Sequence, residues 1–395
     1  MRVLSVSTLF PNPARPAFGK FVANQMAAVA ARGDCDLTIV NPLGIPPWPL
    51  SRRAPYAALA GCPAMSGLAG LAVHHPRFTV VPVVGGDSNP ARLARAVLPL
   101  ARRLHDERRF DLVDAQFFFP DGPAALAIAR ALGVPLTVKA RGSDIHYWST
   151  RPRALAQLRA AADGAAGMLA VSAALKRDMV ALGMPEERIR VHYTGLDHAR
   201  FRLVPQAEAR AEVAAQLGIP AEGSLFVCPG ALIAIKGQAL AVRAVAELPG
   251  ARLALAGSGA DEAALRALAG VLGIGERVHF LGQVPHERLP VLMAAADAVV
   301  LPSEREGLAN VWIEALACGA PLVIPDIGGA REVVSDDGAG RIAPRAPDAI
   351  AAALRALVAA APDRRQVAAH AARFSWEANA AQLVGFWREI AGGVD

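Results

Sequence analysis

Short apolar runs alternate along the chain with longer stretches in which Ala, Leu and Arg recur at helical spacing, the pattern of parallel strands covered by helices. In the first half the runs that predict strands are Val3–Ser7, Leu37–Asn41, Phe78–Val84, Leu112–Gln116, Leu136–Lys139 and Gly167–Val171. Helices are expected between them, at Phe18–Ala31, Ala91–Asp106, Pro123–Leu132 and Ala173–Leu182. A second series begins after Asp197. Its strands are Leu225–Pro229, Ala251–Ala256, Val278–Leu281, Ala298–Leu301, Leu322–Pro325 and Gly340–Ile342, interleaved with helices at Gln238–Glu247, Asp261–Leu272, Leu289–Ala294, Ala309–Ala317, Ala330–Val334 and Pro347–Ala360. The expected architecture is α/β, with two doubly wound halves at residues 1–200 and 201–375 and a joint near residues 198–222. A last helix, Trp376–Ile390, has room to cross back, so that residues 376–395 complete the first half. Ligands of such sheets bind at the carboxyl ends of the strands, and two facing halves therefore predict a substrate cleft between them.

Composition narrows the class. A chain of 395 residues exceeds one ordinary core. With 53% hydrophobic and 19% charged residues and a mean hydropathy of +0.31, it carries too much apolar surface to remain disordered. Cys35, Cys62, Cys228 and Cys318 are scattered with no C-x-x-C pair, which argues against a disulfide scaffold or zinc knuckle and fits a reducing compartment, the cytoplasm. The apolar start Met1–Phe10 is too short for a signal peptide core, and the most apolar window, Ala54–Val73, is interrupted by Pro55, Pro63 and glycines, so no spanning helix is expected.

Charge is uneven. Residues 1–200 hold 24 Lys+Arg against 14 Asp+Glu, and residues 201–395 hold 17 against 21, so a net +6 conceals halves of +10 and −4. The basic half suits an anionic membrane surface or an anionic lipid-linked substrate. No aromatic-interleaved basic stretch points to nucleic acid. Residues 41–75 add Trp48, a Pro-rich IPPWP, Arg52-Arg53 and the apolar window; they read either as a segment dipping into a bilayer interface or as a hydrophobic helix-loop packed on its own half.

Chemistry-bearing residues cluster at three places. In PSEREGLANVWIEALACGAP, Pro302–Pro321, a strand leads through Glu304, Glu306 and Gly307 into a helix whose free N–H groups suit a diphosphate. Glu306 and Glu314, with seven residues between them, serve either as ligands of a sugar and a ribose diol or as a dipole-complementing loop acid and a solvated helix residue; spacing alone does not choose. In PGALIAIKGQ, Lys236-Gly237 stands at a helix start and reads either as a phosphate ligand or as a solvated loop lysine. Gly257-Ser258-Gly259 does not extend to G-x-G-x-x-G, which disfavours a nicotinamide site. Asp34-Cys35-Asp36 matches a metal-binding D-x-D pattern but sits at the amino end of a strand, the wrong end for a ligand, and the histidines lack metal spacing; no catalytic metal is expected.

PSEREGLANVWIEALACGAPLV resembles the E-x7-E signature of family-four, retaining, nucleotide-sugar-dependent glycosyltransferases of the two-Rossmann GT-B fold. PAFGKFVANQ, KARGSDI, Val171-Ser172, YTGLD, Lys236-Gly237, Leu281-Gly282 and DIGGARE follow in the family's order across the chain. The resemblance implies that Glu306 faces the donor sugar, with the backbone of Gly307, Leu308, Ala309 and Asn310 beside sugar and diphosphate. It further places Glu314 on the ribose, Lys236 and Gly237 at the diphosphate, Gly19 near the phosphates from the other half, and the base against Gly282 to Val284. Arg141 and Asp144 join Glu306 as candidate catalytic residues, and no cofactor is implied beyond the nucleotide-sugar co-substrate. Retention is usually explained by front-face displacement, in which the leaving diphosphate helps deprotonate the acceptor; helix N-termini and Lys236 supply the charge stabilisation this needs.

The chain also departs from the family. A G-R-L-x-x-x-K-G pattern reads here Gly230-Ala231-Leu232, losing a phosphate-contacting arginine that Arg305 could replace. A His-Gly pair reads Arg141-Gly142, where Arg141 contacts phosphate or acceptor, or pairs with Asp144 to hold the loop. An Asn-Gly turn is Thr194-Gly195. The RGSD version is similar to a branch acting in cell-surface polysaccharide assembly, of the teichuronic-acid type. The implied activity is hexosyl transfer from a nucleoside diphosphate sugar to a glycan or lipid-linked acceptor by a cytoplasmic, membrane-surface protein. The rivals are a nucleotide-sugar epimerase of the same architecture and a non-catalytic nucleotide-sugar-binding protein.

Overall fold

The computed structural model describes residues 1–82 and 85–393. The chain divides into two compact units, Met1–Gly195 together with the segment from Trp376, and Leu196–Ser375. Strands of the first unit are β1 (Arg2–Val6), β2 (Asp36–Val40), β3 (Leu43–Ile45), β4 (Met65–Leu68), β5 (Leu71–His74), β6 (Arg77–Thr79), β7 (Leu112–Ala115), β8 (Leu136–Ala140), β9 (Gly167–Ala170) and β10 (Ile189–Val191). Eight of them form one sheet in the order β10-β9-β8-β7-β1-β2-β5-β4, parallel except for the β4–β5 hairpin, while β3 and β6 pair separately. The chain starts in mid-sheet and winds outward in both directions, so strand order reverses between β1 and β7.

The second unit repeats the plan with β11 (Leu225–Pro229), β12 (Arg252–Ala256), β13 (Val278–Phe280), β14 (Ala298–Val300), β15 (Leu322–Ile324) and β16 (Gly340–Ile342). The order is β13-β12-β11-β14-β15-β16, all parallel, with the reversal between β11 and β14. The central strands of both sheets are buried on both faces, which is why they read as apolar runs. Leu253, Leu255 and Val300 pack with Val242, Val245 and Leu354 of the covering helices in one core. In the first unit the C-terminal helix, Trp376–Gly392, lies on helix Lys20–Ala31 and drives Leu383 and Trp387 into the core beside Val3 and Met26.

The structure corrects several expectations. Residues 198–222, expected as a joint, contain the helix Gln206–Leu217, and the units divide at Gly195. The strand expected at Phe78–Val84 is the three-residue β6, outside the main sheet; Val83 and Val84 lie outside the described residues. The outer edge of the sheet is instead the β4–β5 hairpin, which turns through Ala69 and Gly70 with φ of 50° and 79°, a left-handed pair suited to tight hairpins. Its residues come from the apolar window read as helix-loop or bilayer segment. Helices Ser143–His146 and Pro152–Gly164 complete the cover of the first unit.

Candidate functional site

In the second unit the loops after β11 and β14 flank the point where strand order reverses, the place at which an open parallel sheet leaves a crevice. The first loop runs from Gly230 to Lys236-Gly237 and opens helix Gln238–Ala246; the second runs through Pro302–Ala309 and opens helix Asn310–Ala317. They lie side by side. The Glu304 N–H donates to the Ile235 carbonyl at 2.7 Å, and Lys236 Nζ donates to Glu306 Oε1 at 2.5 Å. This closeness depends on Gly237, whose φ is 70° and whose absent Cβ would collide with the Pro302 carbonyl. Arg345 holds the same carbonyl from the other side with Nε at 3.0 Å.

The Lys236 and Glu306 side chains are 26% and 13% exposed, sheltered yet within reach of a ligand. Glu304 and Arg305 differ from them: both are half exposed and pair with each other at 3.8 Å. Gly307 accepts from the Gly329 N–H at 2.8 Å, which ties the acidic loop to the one after β15, and Leu308 is buried. At Ala309 no side chain caps the helix that starts with Asn310, so its first N–H groups are not taken up by a capping side chain. About one turn along, Glu314 lies 3.7 Å from His286 Nε2, while His286 Nδ1 meets Arg200 Nη1 at 2.8 Å. His286 belongs to the loop after β13, which also carries Gly282 and the half-buried Val284. A cation, a carboxylate and a helix start thus converge at one strand crossover, with a second carboxylate deeper along the helix. Such a set can bind an anion and a hydroxylated ring together.

In the first unit the loop after β1 closes on itself at Gly19, which has a φ of 67° and would place a Cβ 2.5 Å from the Leu9 carbonyl oxygen. Arg141 follows β8. Its Nε donates to the Gln116 carbonyl at 2.8 Å and its Nη2 to Gln116 Oε1 at 2.7 Å, with the guanidinium over the Phe21 ring at 4.9 Å. Burial pushes its pKa down to about 10, which leaves it charged at neutral pH. Asp144 is not the side-chain partner expected for Arg141. Fully buried, its carboxylate accepts from the backbone N–H groups of Phe118 at 2.7 Å, Arg141 at 3.0 Å, Gly142 at 2.8 Å and Ile145 at 3.2 Å. Both oxygens thus pin the loops after β7 and β8 to each other.

Deeper in the same unit lie charges that sequence reasoning missed. Asp121 opens helix Asp121–Leu132, accepts from the Thr8 N–H at 2.8 Å and leaves its other oxygen buried without a partner. Burial pushes its pKa up to about 7. Lys139, fully buried in β8, donates to Gln25 Oε1 at 3.0 Å and to His192 Nδ1 at 2.8 Å, and burial holds its pKa well below the usual lysine range. His192 then donates from Nε2 to the Asn379 carbonyl of the C-terminal helix, 2.9 Å away. For Lys139 the signal available in sequence was only one charged residue inside an otherwise uncharged strand. The D-x-D pair is taken up by arginines at the amino end of β2, Asp34 by Arg32 and Arg388 and Asp36 by Arg108.

Comparison with known proteins agrees with this division. Residues 10–200 match the family model Glycosyltransferase Family 4, and residues 209–374 match Glycosyl transferases group 1. TuaC of Bacillus subtilis (strain 168), named for teichuronic acid biosynthesis, is 27% identical over 360 residues, 90% of this chain and 88% of that one. The D-inositol 3-phosphate glycosyltransferase of Mycobacteroides abscessus is 38% identical over 213 residues, and the match spans 52% of this chain and about half, 47%, of that relative. Among solved structures, Anabaena Alr3699/HepE in complex with UDP matches with a TM-score of 0.74 at 21% identity, covering 98% of this chain and 100% of that one. Sucrose-phosphate synthase from Thermosynechococcus elongatus reaches 0.77 at 19% identity, covering 99% and 100%. The chain belongs to the family-four glycosyltransferases of the GT-B fold, with its family-four region in the first unit and its group-1 region in the second.

Proposed function

We propose that the protein transfers a hexose from a nucleoside diphosphate sugar to a glycan or lipid-linked acceptor, with retention of anomeric configuration and without a catalytic metal, in cell-surface polysaccharide assembly at the inner face of the cytoplasmic membrane. The observation that carries this reading is the Lys236–Glu306 pair beside an uncapped helix start at the crossover of the second unit. Lys236 and the N–H groups near Asn310 would take the diphosphate, whose charge grows as the sugar departs. Glu306 would orient the sugar hydroxyls, Glu314 the ribose, and the loop holding Gly282 and Val284 would receive the base. Arg141, held in place by Gln116 and Phe21, would meet the acceptor or a phosphate, and Gly19 would let backbone approach the donor. The relatives lend support: Alr3699/HepE has been solved with UDP-glucose, and TuaC is named for teichuronic acid biosynthesis.

A screen of nucleoside diphosphate sugars, following nucleoside diphosphate release with and without a polyprenyl-linked glycan, tests the activity. Acceptor-dependent release with one donor is expected, with the product's anomeric coupling matching the donor's and no loss in chelator. Tight donor binding without release from any donor sinks the transferase reading, and an inverted product sinks retention alone.

A further inference from the structure

We infer that residues 47–70 of the first unit form a docking surface for an anionic lipid bilayer, an inference that rests on the membrane-surface part of the reading above and not on its donor chemistry. From Leu37 to Gly86 the chain has no Asp or Glu, yet it contains Arg52, Arg53 and Arg77. Exposure sharpens the point: among exposed residues from 47 to 70, the only polar side chains are Arg52 and Arg53, and the rest are Trp, Leu, Met, Ala, Pro or Gly. Trp48 is 74% exposed, Met65 56% and Leu50 41%.

A soluble surface of this length would normally mix both charge signs and polar side chains. Nor is Trp48 exposed for want of a local core. Leu43, Leu59 and Cys62 are buried together with Tyr56, Ile45 and Ala14 packed against them, and Arg77 Nη2 clamps the Cys62 carbonyl at 2.8 Å. The segment is folded with its largest aromatic facing outward.

Trp prefers the headgroup boundary of a bilayer, where its apolar body and polar edge are both satisfied, and a neighbouring arginine pair without acids complements anionic headgroups. The segment leaves the sheet at the carboxyl end of β2, where Asn41 Nδ2 donates to the Ser7 carbonyl at 2.8 Å. It therefore borders the β1 loop that leads to Gly19. A membrane-borne acceptor held there would be delivered to the ligand-binding end of this sheet.

Co-sedimentation of the full chain with phosphatidylglycerol/phosphatidylcholine vesicles and with phosphatidylcholine alone tests the surface. The wild type should bind the anionic vesicles and weaken in high salt. Arg52→Glu/Arg53→Glu and Trp48→Ser/Leu50→Ser should each bind at least about tenfold more weakly. Vesicle addition should blue-shift the wild-type tryptophan emission, and Trp48→Phe should lose that shift. Donor turnover on a soluble acceptor should be the same in all variants. Wild-type vesicle binding that these variants retain in full would overturn this surface while leaving membrane association standing. Turnover without any vesicle binding would overturn the surface and the membrane reading but not the transferase reading. Self-association of the wild type that Trp48→Ser abolishes, with no lipid dependence, would assign the face to a second copy and overturn the proposal.

Discussion

The two units place charge at the same topological position in opposite ways. At the crossover of the second unit, Lys236 and Glu306 hold each other in a sheltered but accessible pair, and the backbone around them is fixed by Gly237, Arg345 and the Gly329 N–H. At the crossover of the first, Asp144 and Asp121 are fully buried and serve backbone N–H groups of neighbouring loops. One unit spends backbone to support side chains; the other spends side chains to support backbone. A motif acid is therefore paired with a side chain and accessible in the second unit, and bonded to backbone and buried in the first.

The sharpest break of this contrast is expected at Glu306. Glu306→Ala should lower kcat by roughly a hundredfold or more, because an oriented charge near the reacting sugar is lost. Stability should change by less than about 1 kcal/mol, since the lysine left behind can turn to solvent. Asp144→Ala should behave in reverse. It strands the N–H donors of Phe118, Arg141 and Gly142, while the Ile145 N–H keeps the Gly142 carbonyl, and the expected loss is about 3–5 kcal/mol, read as a fall in the urea midpoint, with Asp144→Asn recovering part of it. If Asp144→Ala instead keeps its midpoint and loses turnover, the acid belongs to the chemistry after all.

Much of this was legible in the sequence, and the reason lies in range. β11, β16 and the helix Pro347–Ala360 fall on the residues that periodicity and flanking Gly or Pro predict, because their signals are local. The β4–β5 hairpin was not legible, since Ala69-Gly70 is a weak turn signal and both strands share one apolar window with a helical alternative. Lys236 and Glu306 each stand out, but their contact spans seventy residues and follows only from β11 and β14 being neighbours. The backbone anchoring of Asp144 was not legible for the same reason: the Phe118 N–H is a backbone group twenty-six residues away and leaves no trace in residue type.

A smaller effect separates the buried acids from each other. Asp144 is satisfied by donors from several residues, whereas Asp121 accepts from Thr8 alone among the described residues, and burial raises its pKa from an ordinary carboxylate value to about 7. A folded-state pKa above the unfolded one means that the folded state binds the proton more tightly. The stabilisation is complete below about pH 4 and is lost as pH rises through about 7. Wild-type protein should therefore lose up to about 4 kcal/mol between those limits from this group, and Asp121→Asn should flatten the curve. The difference between the two proteins' unfolding midpoints, measured from pH 5 to 8, isolates Asp121 from the histidines. A constant difference would mean that Asp121 does not titrate there.

The smallest effect is expected at Arg305, the arginine considered as a substitute where Ala231 replaces the family's residue. It stands in the same loop as Glu306 yet resembles neither kind of site, being half exposed and paired only with the equally exposed Glu304 at 3.8 Å. An exposed pair of this length contributes at most about 1 kcal/mol, so Arg305→Ala should leave stability unchanged within about 0.5 kcal/mol. Donor affinity is the informative readout. If Lys236 and the helix start carry the diphosphate by themselves, the donor KM should shift less than about threefold. A tenfold rise that Arg305→Lys reverses would show that the exposed arginine turns inward on the donor, and that the second unit recruits charge from its rim as well as from its sheltered pair.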